Sequence, residues 1–315
     1  MNKYVIKRIL SLVPVLIIVS ILIFFLIHLT PGDPARTMLG DQASEQQVMQ
    51  LRASLGLNDP ILIQYIHWVE GLFKGNFGYS IFIKEPMTQI IAEHINPTIC
   101  LTLYSLAIAL IISLPCGIIA ARRKGKTSDY SIQVFNMFGI SIPSFLLGMF
   151  LIIIFAVNLK ILPSAGYKPI EDSGFLEFIR YLTLPAISLG LMQAALITRM
   201  TRASILEVLN MDYIRMAKAK GVKTKVIILK HALRNALLPI ITVIGQSFIA
   251  LLSGATVVEI VFNIPGVGQL IVNSVLRRDY EVIQAIILVI ALINVVVNII
   301  VDLLYGLVDP RIRLE

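Results

Sequence analysis

The sequence predicts an all-α membrane protein with six transmembrane helices and a small helical extracytoplasmic domain between the first two. Three observations carry this. Of the 315 residues, 57% are hydrophobic and 15% charged, where soluble domains average about 45–50% and about 25%. Mean hydropathy is +0.84. Six apolar runs each approach or exceed the length that crosses hydrocarbon, with about 17 residues as the lower limit. This composition excludes disorder, which needs low hydrophobicity and high net charge. It also argues against the two soluble domains that the chain length alone would suggest. The net charge of +8 is compatible with nucleic acid, anionic lipid or membrane topology until the charges are placed.

The first run, residues 9–29, follows Lys3, Lys7 and Arg8. It is longer than the roughly 7–15 residues of a signal-peptide core, and no A-x-A cleavage site follows it. An uncleaved spanning helix is expected. The outer loop 30–98 comes next, then the second run, 99–121, which holds both cysteines. Sixteen helical residues separate Cys100 from Cys116 by about 24 Å, beyond the roughly 7 Å a disulfide allows. The third run, 134–157, has no charge, and the fourth, 182–198, is the shortest and carries Pro185. The fifth, 237–262, contains Glu259, and the sixth, 283–308, contains Asp302. Four units are expected: 1–29, 30–98, the core 99–308 with its loop 199–236, and a tail 309–315.

Lys and Arg in the loops set the orientation. The N-terminus, loops 122–133 and 199–236 and the C-terminus hold 18 of the 27 basic residues. That side is expected to be cytoplasmic, with both termini inside; an even number of spans requires the termini to share a side, so count and charge agree.

The outer loop is punctuated by Pro31-Gly32-Asp33-Pro34, Asn58-Asp59-Pro60, Gly71, Gly75 and Gly78. Short helices are expected near 44–55 and 61–73, the first opened by Ser44 and Gln47 as a capping box. Leu62, Tyr65, Ile66 and Val69, with Trp68 beside them, form a helical stripe. It either packs within its own domain or against the membrane, or offers a platform to an external partner. Asp33, Asp59, Tyr65 and Trp68 are the candidate docking residues.

The inner loop carries a second stripe: Ile205, Leu206, Leu209, Tyr213 and Met216 recur at three- and four-residue steps, as in an amphipathic helix. Gly221 should end that helix, since glycine suits a left-handed terminus. Val226, Leu229, Leu233 and Leu237 then lead a second helix into the fifth span. A basic amphipathic segment either lies on anionic lipid or docks as a finger on a cytoplasmic protein.

Covalent chemistry has no constellation. Gly125-Lys126-Thr127 resembles the end of a phosphate-binding loop, but Ala120 stands where the motif's first glycine belongs and no strand precedes it. No H-E-x-x-H, metal-spaced Cys/His cluster or G-x-S-x-G occurs, and His28, His67, His94 and His231 are scattered. Glu259 and Asp302 are functional candidates because charge at membrane depth is costly. Both lie near span ends, however, where snorkelling or an interhelical pair serves equally well. Coupled carriers hold such groups near the midplane.

The segment Asp212-Tyr213-Ile214-Arg215-Met216-Ala217-Lys218-Ala219-Lys220-Gly221, with His231-Ala232-Leu233-Arg234-Asn235-Ala236, resembles the EAA loop of binding-protein-dependent ABC importers. It is closest in pattern to the peptide/nickel permease branch, D-Y-x-R-x-A-x-A-K-G … H-A-L-R-N-A. Leu29-Thr30-Pro31-Gly32-Asp33-Pro34-Ala35, Leu55-Gly56-Leu57-Asn58-Asp59-Pro60, Gly75-Asn76-Phe77-Gly78, Pro265-Gly266-Val267-Gly268 and Asp309-Pro310-Arg311 fit the same branch, in order. Against the wider pattern E-A-A-x3-G-x9-I-x-L-P, Arg215 and Met216 replace the first Glu and Ala, and His231 and Arg234 replace Ile and Pro. No role of the missing glutamate is therefore carried over.

The resemblance implies a type I importer permease that is not itself catalytic and binds no cofactor or metal. It implies a bacterial inner-membrane location and a second homologous permease. Two cytoplasmic ATPase subunits would hold ATP and Mg, and an extracytoplasmic binding protein would deliver substrate. Asp212, Tyr213, Arg215, Ala217, Ala219, Gly221, His231, Arg234 and Asn235 would form the coupling loop. Di- or oligopeptides are the expected cargo, with glutathione or a nickel chelate as alternatives. A stand-alone secondary transporter or channel is the reading from a different class. Nucleic acid is not expected, because the basic residues are accounted for by topology and a protein partner.

Overall fold

The computed structural model describes residues 13–25, 34–39, 43–54, 56–80 and 82–308. Apart from one hairpin of two two-residue strands, the regular elements among the described residues are helices. In chain order these are α1 (Val13–Phe25), α2 (Pro34–Leu39), α3 (Glu45–Ser54), α4 (Ile61–Phe73), β1 (Tyr79–Ser80) and β2 (Glu85–Pro86). There follow α5 (Met87–Arg122), α6 (Thr127–Ser141), α7 (Ser144–Leu151), α8 (Ile170–Leu209) and α9 (Asp212–Ala219). The last are α10 (Thr224–Val226), α11 (Leu233–Val261), α12 (Val267–Arg277) and α13 (Tyr280–Val308). Wide π turns at Ile152–Asn158 and Ile227–Ala232 extend α7 and join α10 to α11.

Four helices are long and apolar enough to cross a bilayer: α5, α8, the joined Thr224–Val261 and α13. The α6–α7 pair supplies a fifth if counted as one span. Of the first predicted span, only the thirteen residues of α1 lie within the described part.

The third run departs from expectation. Residues 134–157 read as one unbroken helix, yet α6 and α7 meet at 99°. Pro143 is the cause. Its ring excludes helical geometry at the preceding residue, and Ile142 is extended at φ −90°, ψ 121°. The fourth run is much longer than its 17 apolar residues: α8 has 40 residues, with a break at Gly174 (φ 77°). Polar residues on either side continue it, so the apolar run marked depth and not helix length. Residue 98, expected as a domain boundary, lies inside α5 next to the division of the chain into two units between 96 and 97.

The chain forms two compact units. The first comprises 97–268 and the end of α13 from residue 297. Its core gathers Leu101 of α5, Leu182 and Leu189 of α8, and Leu251, Val258 and Phe262 at the end of α11. Small residues bring the backbones together, as is usual where helices cannot rely on water to drive association. A Cβ on Gly190 would stand 2.6 Å from the Ser105 carbonyl oxygen, and one on Gly117 would stand 2.6 Å from Thr201 Cβ. A second cluster joins Ala121, Ile205, Val208, Ile214, Ile227, Ala232, Ala236 and Ile240. Thr242 and Tyr305 hydroxyls hydrogen-bond at 2.6 Å.

The other unit comprises α1–α4, the hairpin, the start of α5, residues 269–277 of α12 and residues 280–296 of α13. The capping box forms as the sequence requires: Gln47 N–H donates to Ser44 Oγ at 3.3 Å, and Ser44 N–H donates to Gln47 Oε1 at 2.9 Å. Ser80 donates to Asp279 Oδ2 at 2.6 Å, fastening the hairpin to the residue before α13.

Candidate functional site

The segment expected to couple is the short helix α9, and its geometry follows from three local features. Asn210 closes α8, and Met211 is extended at φ −73°, ψ 149°. The stripe 205–216, expected as one helix, is therefore two helices that share a buried cluster through Ile205 and Ile214. Asp212 opens α9 and Lys218 sits in its last turn, the arrangement that complements the helix dipole. Gly221 closes it at φ 75°. Gly221 N–H bonds Lys218 O at 2.9 Å, and Val222 N–H bonds Ala217 O at 3.2 Å, which is the pairing of a Schellman terminus.

Ile214 is fully buried, while Tyr213, Arg215, Met216 and Lys218 are exposed. One side chain anchors α9 and its neighbours are presented outward. Asn235 Nδ2 donates to Tyr213 Oη at 2.5 Å and to the His231 carbonyl at 3.3 Å. The structure thus brings Tyr213, His231 and Asn235 together. Asp212 and Arg215 form an exposed pair at 3.3 Å. Ala217 is half-buried, and Ala219 and Arg234 are exposed without entering this hydrogen-bonded group.

Glu259 is fully buried. Thr98 Oγ1 donates to its Oε1 at 2.6 Å and itself accepts the Val267 N–H at 2.9 Å. Gly266 lies against the same carboxylate, and Gly268 lies against Thr256, so a side chain at either would overlap them. The carboxylate therefore fastens the turn of Pro265-Gly266-Val267-Gly268 after α11. Asp302 lies half-buried on α13, one turn before Tyr305.

Of the outer candidates, Asp33 lies outside the described residues. Asp59 is exposed, and its carbonyl accepts Gln64 Nε2 at 2.8 Å. Tyr65 and Trp68 pack with Phe24 of α1, at ring distances of 5.3 and 5.8 Å. Tyr65 also pairs with Ser20 Oγ at 2.8 Å. These two aromatic rings are occupied within their own unit.

One pair escaped sequence reasoning. Asp129, 2% exposed, holds Arg202 in a bidentate bond, 2.7 Å from Nε to Oδ1 and 2.8 Å from Nη2 to Oδ2. Gly125 N–H and Gln133 Nε2 complete its shell at 3.0 Å each. Arg202 enters the sequence reading only among the basic residues of loop 199–236. Asp129 as the single acid of loop 122–133 was the available signal.

Long apolar helices packed through glycines, a buried carboxylate at a span end and a projecting basic helix define a multi-pass membrane transport component. Residues 113–314 match the family described as binding-protein-dependent transport system inner membrane component, and residues 1–102 match its N-terminal region. The chain belongs to this family and is a permease subunit of a binding-protein-dependent ABC importer in the inner membrane. It is 40% identical over 313 residues to y4tP of Sinorhizobium fredii, named "Probable peptide ABC transporter permease protein", covering 99% of this chain and 100% of that one. It is 44% identical over 313 residues to the glutathione transport system permease protein GsiC of Escherichia coli K12, covering 99% of each. The fold resembles a chain of the MetNI methionine ABC transporter in an inward-facing conformation, with TM-score 0.59 and 18% identity. That likeness covers 71% of this chain and 98% of that one.

Proposed function

We propose that this chain and a homologous second permease together form the pathway by which short peptides, glutathione among them, enter the cell. In this reading α9 seats on one of two cytoplasmic ATPase subunits, which alone hold ATP and Mg. An external binding protein supplies the substrate, and both termini lie in the cytoplasm. The observation that carries the reading is identity of 40–44% along the whole chain to permeases named for peptides and glutathione. The exposed face of α9 supports the coupling role. Lys218, Lys220, Lys223 and Lys225 line its exit, where they would add on-rate and register against an acidic partner more than affinity.

The test is uptake of labelled dialanine and glutathione by the complete transporter in liposomes. ATP-dependent accumulation is expected, and neither probe should accumulate without the binding protein. Uptake independent of ATP would return the chain to the secondary-carrier class, and ATP-driven uptake of a nickel chelate alone would reassign its cargo.

A further inference from the structure

Within the first unit, α8 and α11 leave a half-open groove of about 310 Å³ between them. Gln193, Leu196 and Arg199 line it from α8, and Gln246, Ser247 and Ala250 from α11. The volume falls at the low end of the roughly 300–1,000 Å³ typical of small-molecule sites. Polar side chains within apolar runs turn toward a water-filled path or a partner and away from lipid; here Gln193, Gln246 and Ser247 converge, and Arg199 joins them just past the expected cytoplasmic end of the run 182–198.

The charge balance of the groove is one-sided. Arg202, three residues beyond Arg199 on α8, is neutralised by Asp129. Arg199 has no ion pair among the described residues, and no acidic residue lines the groove. An uncompensated guanidinium therefore stands beside two carboxamides and a hydroxyl, with Leu196 and Ala250 supplying apolar wall.

We propose that Arg199 is a specificity-determining residue of the transport pathway, receiving a carboxylate of the passing substrate in the α8–α11 groove. The planar guanidinium matches a carboxylate in bidentate fashion. Gln193 and Gln246 offer both donors and acceptors to amide groups. Every unmodified peptide carries a terminal carboxylate and backbone amides whatever its side chains, so recognition of those groups alone is compatible with varied cargo. The inference rests on reading this chain as a peptide permease.

The test uses the complete transporter with Cys100 and Cys116 replaced by serine and Gln246→Cys introduced. Labelling rates with an anionic and a cationic methanethiosulfonate are compared, with and without Arg199→Gln. The thiol is expected to react, and Arg199→Gln is expected to lower the anionic-to-cationic rate ratio about fivefold. In the parent background, Arg199→Gln should cut uptake of dialanine and glutathione about tenfold, and Arg199→Lys, which keeps the charge but loses the bidentate fork, should fall between the two. Assembly should be unchanged.

A thiol inert to both reagents, an unchanged ratio, or full uptake by Arg199→Gln overturns the proposal. Loss of assembly in Arg199→Gln assigns the guanidinium to a partner's acid and overturns it too. So does a rate preference seen in phosphatidylcholine vesicles but abolished by phosphatidylglycerol, which assigns it to lipid headgroups. If the parent transports neither probe, the peptide reading fails, and the labelling ratio still decides whether Arg199 makes the groove selective for anions.

Discussion

Gly221→Val isolates a purely conformational cost. A Cβ at Gly221 would meet no heavy atom within 4 Å, but the residue sits at φ 75°. The penalty is therefore that of a left-handed L-residue, about 1–2 kcal/mol, and β-branching adds to it. Relaxing the turn offers no cheaper route. It would break the bonds from Gly221 N–H to Lys218 O and from Val222 N–H to Ala217 O, each worth about 0.5–1.5 kcal/mol. The closed terminus of α9 should therefore lose about 5–30-fold in population. The assay is ATP hydrolysed per substrate imported by the reconstituted transporter, expected to rise several-fold in Gly221→Val. Gly221→Asn, which tolerates this region of backbone space, should keep the ratio near that of the parent. A parent-like ratio in the valine variant would refute the reasoning, and so would equal losses in valine and asparagine.

Other perturbations probe the bundle itself. Gly190→Ala should cost about 1–3 kcal/mol, because the Ser105 carbonyl it would strike is backbone on a packed helix; thermal unfolding in detergent reads this, and an unshifted midpoint would contradict it. Asp129→Ala strands Arg202 and should cost about 3 kcal/mol, with a double Asp129→Ala, Arg202→Ala variant losing less than the two singles combined. Strict additivity would mean the pair is not coupled. Thr98→Val removes both the donor to Glu259 and the acceptor for Val267 N–H, which should cost about 1–3 kcal/mol and loosen the turn at 265–268. Proteolysis or hydrogen exchange at that turn would show the loosening, and unchanged protection would count against Glu259 as its fastening.

The helical class and most spans were legible because membrane depth imposes length and apolarity together, as in α5 and α13. What apolarity could not reveal was continuity. Residues 134–157 carry no charge, and only the stiff backbone ahead of Pro143 divides them. Conversely, α8 runs on through Arg199 and Arg202, past the point where hydropathy ends, because helix propensity and packing do not stop at the lipid. Gly221 was readable from its place after a periodic stripe. Trp68 was ambiguous from spacing alone, since a stripe does not say what lies against it, and its contact with Phe24 of α1 comes from far away in sequence. Asp129 and Arg202, 73 residues apart, needed the fold to become a pair.

Ile214 fixes α9 to a cluster that also contains Ala121 of α5, Ile205 and Val208 of α8, and Ala236 and Ile240 of α11. Close-packed side chains of this kind resist compression and transmit strain. A push on the exposed face of α9 therefore has little slack to take up before it reaches three long helices at once. Mechanically, the eight-residue helix is a handle set in a stiff mount, with Tyr213 and Met216 on its free side.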